Sequence, residues 1–364
     1  MSQAKRHLYV ALRDYENGYT IRRIDVDTFF DAGGGPKNSD EHPEPLPEPP
    51  AFVVEAEHGQ PTLFAALGPR ILAMPRSAAA LPGFDAGAAA AAPGLVIAPP
   101  PQGGDHRPPT LVAVGGDRVY GLGCTTRAAG AGEPARHFEV LHAPAPPRRM
   151  RWAWSAVPSP PPFNPLLVTY HAAHPDGRAV FFSAEASSSG SGSGGRGGTF
   201  SFDAKRLEWT CNGAWLLPFA GQAHYDGELD AWVGLVGRHH GDAGRVASCD
   251  VVDPDKRWSL APAWKLGAQP ALCEDKRRHV GAALVYCGDS RFCLLECVEA
   301  KKNAPRERRG PPPDQPRRLL HVTAFGLKYG KQGELTTTMR RQRRCYALPD
   351  GAANFMGKPV AFWM

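Results

Sequence analysis

At 364 residues the chain has room for one large domain or two ordinary ones, and ample material for a core. Its 40 Gly and 37 Pro, about a fifth of the residues, fall short of a disordered composition but exceed what a helical protein tolerates. The formal net charge is +6, and the uncharged run Ala86–Gly104 is Ala-rich and broken by Pro93 and Pro99–Pro101, which excludes a membrane-spanning helix there.

Residues 7–30 read as a hairpin joined at Glu16-Asn17-Gly18, where Asn-Gly supplies the positive φ angles of a tight turn. Its first apolar run, Leu8–Leu12, is too short for a signal peptide. Residues 31–50 turn polar and Pro-rich, ending in PEPLPEPP, and are expected to form a solvated polyproline-like loop. Apolar strands follow at Thr62–Leu67, Arg70–Met74 and Leu95–Ala98. The clearest short unit is Thr110–Gly123, in which two strands flank Gly115-Gly116, with His137–Leu141 and Trp152–Val157 as outer strands. Next come Leu166–His171, Ala179–Ala184 and Thr199–Trp209, interrupted at 187–198 by SSSGSGSGGRGG, the composition of a flexible loop tip.

The stretch Gly221–Gly267 is a complete antiparallel unit. A strand carrying Trp232, Val233, Leu235 and Val236 leads to a Gly/His/Asp turn, then a strand Arg245–Val252, then the turn Asp253-Pro254-Asp255. Trp258 is expected to open the next strand. Like Trp209, it follows an Asp turn and is expected to be buried between sheets. Two strong strands then surround Gly288-Asp289 within Arg278–Val298. Lys301–Arg318 is a charged, Pro-rich excursion, and Leu319–Leu327, Glu334–Met339 and Cys345–Leu348 complete the strands.

An internal repeat underlies this order. An apolar strand ends in an aromatic or apolar residue followed by an acid at Ile24-Asp25, Phe84-Asp85, Phe138-Glu139, Phe202-Asp203 and Cys249-Asp250, with Phe325-Gly326 as a degenerate sixth copy. The spacings are 60, 54, 64, 47 and 76 residues, and the two longest contain the Ser/Gly and basic Pro-rich loops. A period near 50 with several short strands per period is the signature of a β-propeller, whose small sheets bury one another radially. Ring closure removes exposed edges, so residues 7–13 are expected to pair with the C-terminal repeat.

Gly115-Gly116 with Tyr120, and Asp203 six residues before Trp209, resemble degenerate kelch repeats. The strings RHLYVALRDYENGYTIRRIDVD (6–27), GQAHYDGELDAWVGL (221–235), SRFCLLEC (290–297) and RLLHVTAFGLKYGKQGEL (318–335) resemble a grass-expanded family of uncharacterised plant proteins of the domain-of-unknown-function type. That resemblance spans nearly the whole chain. It implies a kelch-like propeller and no established activity.

The eight cysteines, at 124, 211, 249, 273, 287, 293, 297 and 345, contain no C-x-x-C pair and read as buried apolar thiols of a reducing compartment. The sequence has no G-x-S-x-G elbow, H-E-x-x-H or Walker motif. His171/His174 and His239/His240 sit in turn-like contexts and are read as solvated rather than metal-ligating. Charge is uneven in one place: 13 Lys and Arg against 3 Asp and Glu between Lys301 and Arg344. Within it Arg340, Arg341, Arg343 and Arg344 are the candidate partner-binding residues, since such clusters attract acidic surfaces or phosphates.

These readings predict an all-β, kelch-like β-propeller of six blades over residues 1–350, with flexible loops at 31–50, 187–198 and 301–318 and a C-terminal tail at 351–364. The predicted function is an intracellular protein-interaction scaffold, cytoplasmic or nuclear and monomeric, with an unidentified protein partner and no membrane association. The alternatives are an enzyme with a loop-lined pocket at the propeller axis, and a nucleic-acid-associated protein acting through residues 301–344. No catalytic, cofactor-binding or metal-ligating residue is assigned, and no cofactor is expected.

Overall fold

The computed structural model describes residues 6–14, 18–27, 29, 40–55, 62–75, 81–97, 109–125, 135–142, 151–186, 197–237, 241–273, 275–301, 317–338, 342–349 and 359–364. Apart from a short 3-10 turn at Pro165–Leu167 and helical backbone at Asp27 and Phe29, the regular elements among them are strands, forming six antiparallel blades, of which the second and third are joined at their outer strands by a parallel pairing of Arg151 and Trp152 with Val96 and Ile97. No helix among the described residues is long and apolar enough to cross a membrane.

Blade 2 runs outward from the axis as Thr62–Leu67, Arg70–Pro75, Leu81–Asp85 and Ala90–Ile97. Blade 3 is Thr110–Val114, Arg118–Thr125, Ala135–His142 and Arg151–Ala156. Blade 4 is Val168–Ala173, Ala179–Ala184, Gly198–Asp203 and Glu208–Gly213. Blade 5 is His224–Asp226, Ala231–Leu235, Arg245–Asp250 and Trp264–Pro270. Blade 6 is His279–Gly288, Arg291–Glu299, Arg318–Tyr329 and Gln342–Ala347. In blade 1 the innermost strand comes from the other end of the sequence: Val360–Trp363 pairs antiparallel with Leu8–Asp14, which pairs with Gly18–Ile24 and then Phe52–Val54.

The closing register sets Leu8 opposite Trp363 and Ala11 opposite Val360. Residues 359–364, read from the sequence as part of a tail, therefore supply the strand that completes the first sheet. The expected pairing of residues 7–13 with the end of the chain is present, but its partner lies beyond the last repeat.

Each blade is too thin to bury its own faces, and each gap between blades holds an apolar cluster. Leu8, Val10 and Ile24 meet Val285, Leu295 and Val322 between blades 1 and 6. Tyr9 and Ile21 meet Ile71 and Phe84 between blades 1 and 2. Leu67 and Met74 meet Val119 and Leu141 between blades 2 and 3. Tyr120 and Phe138 pack on Phe182, Phe200 and Phe202 between blades 3 and 4. Tyr170 and Phe181 pack on Trp232 between blades 4 and 5, where the indole N–H donates to the Ala173 carbonyl at 3.1 Å. Val233 and Leu235 meet Leu294, Phe325 and Leu327 between blades 5 and 6.

All six copies of the internal repeat fall on or at the end of the third strand from the axis. The acid has a local task there. Asp85 Oδ1 accepts from the Gly87 and Ala88 N–H groups at 3.0 and 3.1 Å. Asp203 Oδ1 does the same for Lys205 and Arg206 at 2.8 and 2.9 Å. These bonds fold the turn into the outermost strand. The Gly115-Gly116 doublet makes the first turn of blade 3 with φ of 65° and 77°, angles that a side chain would strain.

The two marked tryptophans part company. Trp209 packs on Phe138, Phe163 and Phe202 with ring centroids 5.0–5.3 Å apart, and its N–H donates to the Ser159 carbonyl at 3.0 Å. Trp258 is 60% exposed, and the strand expected at it begins instead at Trp264. The cause is a detour. The Trp258 and Ser259 N–H groups donate to the Cys211 and Asn212 carbonyls at 3.2 and 2.7 Å, so this segment of blade 5 lies on the outer strand of blade 4 with its indole turned outward.

Deleting residues 359–364 should reopen the edge of Leu8–Asp14, lower the thermal midpoint and promote aggregation. An unchanged midpoint by differential scanning calorimetry would exclude that role for the strand. Trp209→Ala should cost about 3 kcal/mol in denaturant unfolding, because it empties an aromatic cluster, whereas Trp258→Ala should stay within about 0.5 kcal/mol. Equal losses for the two would contradict their placement.

Candidate functional site

Two places in the ring gather polar groups in a confined setting. The first is the axis. Phe64 and Ala65, Thr110 and Leu111, His171, Gln222 and His224, Ala282–Tyr286 and Val360–Trp363 line one cavity of about 560 Å³. These segments belong to or adjoin the innermost strand of every blade. The wall is mostly Ala, Leu and Phe, with Thr110, His171, Gln222, His224 and Tyr286 as its polar exceptions. His224 Nε2 lies 2.8 Å from the Leu284 carbonyl oxygen, and burial holds its pKa below the ordinary histidine value. The axis is therefore walled by strands, where the sequence suggested loops.

The second place is the outer half of blade 6. Glu296, His321 and Cys345 stand in one row across three neighbouring strands, because Glu296 is opposite His321 and His321 is opposite Cys345. Asp40 reaches this row from the segment between the third and fourth strands of blade 1. Its Oδ1 is 2.8 Å from His321 Nε2, and its Oδ2 accepts from Arg278 Nη2 at 2.7 Å. Glu296 Oε1 is 2.8 Å from His279 Nδ1, and both its oxygens accept from the Cys273 N–H at 3.0 Å. His321 is 1% exposed and Glu296 3%.

Charge is held tightly here. Burial would raise the Glu296 carboxyl, but its contacts with His279, His321 and the Cys273 N–H prevail and bring it down to about 2. Burial also opposes ionisation of Asp40, yet Arg278 and His321 keep its pKa below the usual carboxylate value. The Cys345 thiol is pushed up to about 12, by burial first and by the Asp40 charge second. As it stands, Cys345 is a protonated thiol.

Residues 40–47, read from the sequence as part of a solvated loop, are docked. Leu46 is buried in the cluster between blades 1 and 6, the Glu44 N–H donates to the Cys345 carbonyl at 2.8 Å, and the Ala347 N–H returns to the Glu44 carbonyl at 2.8 Å. Leu46, the Glu44 backbone and the Asp40 side chain together anchor the segment.

Residues 5–346 match the family model for DUF1668, described as a protein of unknown function. The chain belongs to the DUF1668 family. No curated protein matches this DUF1668 chain. Three solved structures resemble it at low identity. One is a nidogen/laminin complex, at 8% identity over 98% of each chain with a TM-score of 0.47. Another is a putative 6-phosphogluconolactonase from Bacteroides fragilis, at 12% identity over 100% of this chain and 99% of that one, TM-score 0.43. The third is apo AztD from Citrobacter koseri, at 10% identity over 99% and 97%, TM-score 0.37. The ring assigned to the DUF1668 chain rests on its own strand pairing.

Of the candidate partner-binding residues, Arg340 and Arg341 lie outside the described residues, as do His239, His240 and the Ser/Gly stretch 187–196. Arg343 and Arg344 are on the outermost strand of blade 6 and point to opposite faces of it. Arg343 is exposed, with Nη2 3.6 Å from Asp40 Oδ1, and the Arg344 guanidinium lies over the Phe29 ring at 4.4 Å. His171 faces the axis, while His174 Nδ1 is 2.9 Å from Asp176 Oδ1. The sequence reading missed the Asp40–His321–Glu296 cluster. Its signal was a single polar residue inside each of two apolar strands, Glu296 in FCLLECV and His321 in LLHVTAF.

Replacing Glu296 by Leu would leave His279, His321 and the Cys273 N–H facing apolar carbon. The expected loss is about 3–5 kcal/mol in chemical unfolding, the usual cost of removing one member of a buried charged set. A loss under about 1 kcal/mol would mean that water reaches the cluster.

Proposed function

We propose that this chain is an intracellular protein-interaction scaffold, and that it engages an acidic partner segment bearing apolar side chains at the outer rim of blades 4 and 5. One observation carries the reading: Trp258 is 60% exposed and its backbone sits at φ 51°. An L side chain in this left-handed region costs roughly 1 kcal/mol, and an exposed indole gives nothing back to stability. Leu207 repeats the combination, 40% exposed at φ 59°, and its turn is tied to the Trp258 segment by Arg206 Nη1 donating to Asp255 Oδ1 at 2.7 Å. Leu260 is 93% exposed, and Lys256, Arg257 and Lys265 border the same stretch. Aromatic anchors rimmed by cations suit a partner with acidic and apolar side chains.

The four arginines read from the sequence, Arg340, Arg341, Arg343 and Arg344, would add to that preference for acidic partners, Arg343 from the exposed side of the outermost strand of blade 6. A ligand at the axis is the second reading, supported by the cavity that all six blades line.

Trp258→Gly separates binding from folding, because glycine suits the backbone and removes the anchor. Partners recovered with the wild-type chain should be lost with Trp258→Gly and with Leu260→Ser, while the thermal midpoint stays within a degree or two. Recovery of the same partners by both variants would defeat the rim assignment. Replacing the four arginines by Ser decides separately whether blade 6 contributes, through the salt dependence of what remains bound.

A further inference from the structure

We propose that Asp40, His321 and Cys345 form a zinc site that fastens the 40–47 segment of blade 1 to the outer strands of blade 6. The three residues offer an oxygen, an imidazole nitrogen and a sulfur, all within 4.8 Å of one another. That mixture of donors suits zinc among the common divalent ions, since the thiolate disfavours magnesium and calcium.

The strongest argument concerns the two ring nitrogens of His321. Nε2 is the atom beside Asp40 Oδ1, at 2.8 Å. Nδ1 is buried, makes no hydrogen bond, and has Glu296 Oε2 as its facing charge at 3.9 Å. Nδ1 thus faces a carboxylate oxygen without bonding to it. A metal on Nε2 accounts for this arrangement: the ring hydrogen then sits on Nδ1 and points at Glu296. A ligating histidine whose other nitrogen faces a carboxylate is the usual outer-shell arrangement of such sites.

The remaining neighbours are compatible with that assignment. Arg278 holds Oδ2 of Asp40 and leaves Oδ1 for the metal. Arg343, 3.6 Å from Oδ1, has a side chain 44% exposed and free space to swing outward. Donors tetrahedrally placed at about 2.0–2.3 Å from zinc stand roughly 3.3–3.8 Å apart, so Asp40 and His321 must separate by about half an ångström. Binding releases the Cys345 proton to solvent, and the ion with one carboxylate and one thiolate is then electrically neutral. A water molecule completes the coordination.

The test uses the full chain, stripped with a chelator and refilled with zinc or cobalt(II). About one zinc per chain should survive gel filtration, the thermal midpoint should rise by several degrees, and cobalt(II) should give the near-ultraviolet absorption of a thiolate–metal bond. Cys345→Ser, a near-isosteric change, should abolish that absorption, whereas Cys297→Ser, two strands away, should keep it. Wild-type protein that retains no zinc and shows no thiolate–cobalt absorption overturns the proposal. Cobalt absorption that persists in Cys345→Ser also overturns it, by placing the metal elsewhere.

Discussion

Every sheet in this ring needs a neighbour on each side, because a four-stranded blade has two apolar faces and no helix or second layer of its own to cover them. Ala179–Ala184 and Ala231–Leu235 are buried at every position, with no alternation between a wet and a dry face. Stability is thus a property of the gaps between blades, and each gap depends on the next. The constraint is circular: it is satisfied only when blade 6 meets blade 1, which is why Val360–Trp363 must cross back to Leu8.

From that requirement follows where chemistry can sit. Inside the stack the Trp232 indole finds a partner in the Ala173 carbonyl of the next blade, whereas the hydroxyl of Tyr170 in the same gap has none among the described residues. At the axis the inner strands approach closely and carry small residues such as Ala65, Ala282 and Ala283, leaving a cavity with few polar groups. Toward the rim charged groups pair with one another. Arg178 lies there between Asp203 and Asp255, binding blade 4 to the segment that bears Trp258. A buried polar row is Glu296–His321–Cys345, where three strands bring their polar positions into register.

The fold was legible because its grammar is local. An aromatic or apolar residue followed by an acid recurs on one strand in five of the six blades, with Phe325-Gly326 as the degenerate copy, and the Asx bonds of Asp85 and Asp203 explain why that acid belongs there. What stayed hidden depends on distant pairing. Asp40 and His321 are 281 residues apart, and nothing near Asp40 in its Pro-rich surroundings announces a buried contact. Trp258 misled for a related reason. Its neighbourhood reads as a strand entry, yet its backbone bonds go to Cys211 and Asn212 of another blade, and no local rule records that preference. Arg343 and Arg344 look alike in sequence, but on a strand they face opposite sides, one toward Asp40 and the other over Phe29.

The crossing strand also sets a timetable. Leu8–Ala11 leaves the ribosome ahead of the five other blades, and its inner partner appears only when residues 360–363 have been made. Throughout synthesis the earliest strand therefore waits beside an empty lane, while five blades assemble behind it. The longest-range contact in the ring is the last to form, so its loop-closure entropy falls due late. During that interval the nascent chain carries an unpaired apolar edge, the kind of surface that chaperones hold.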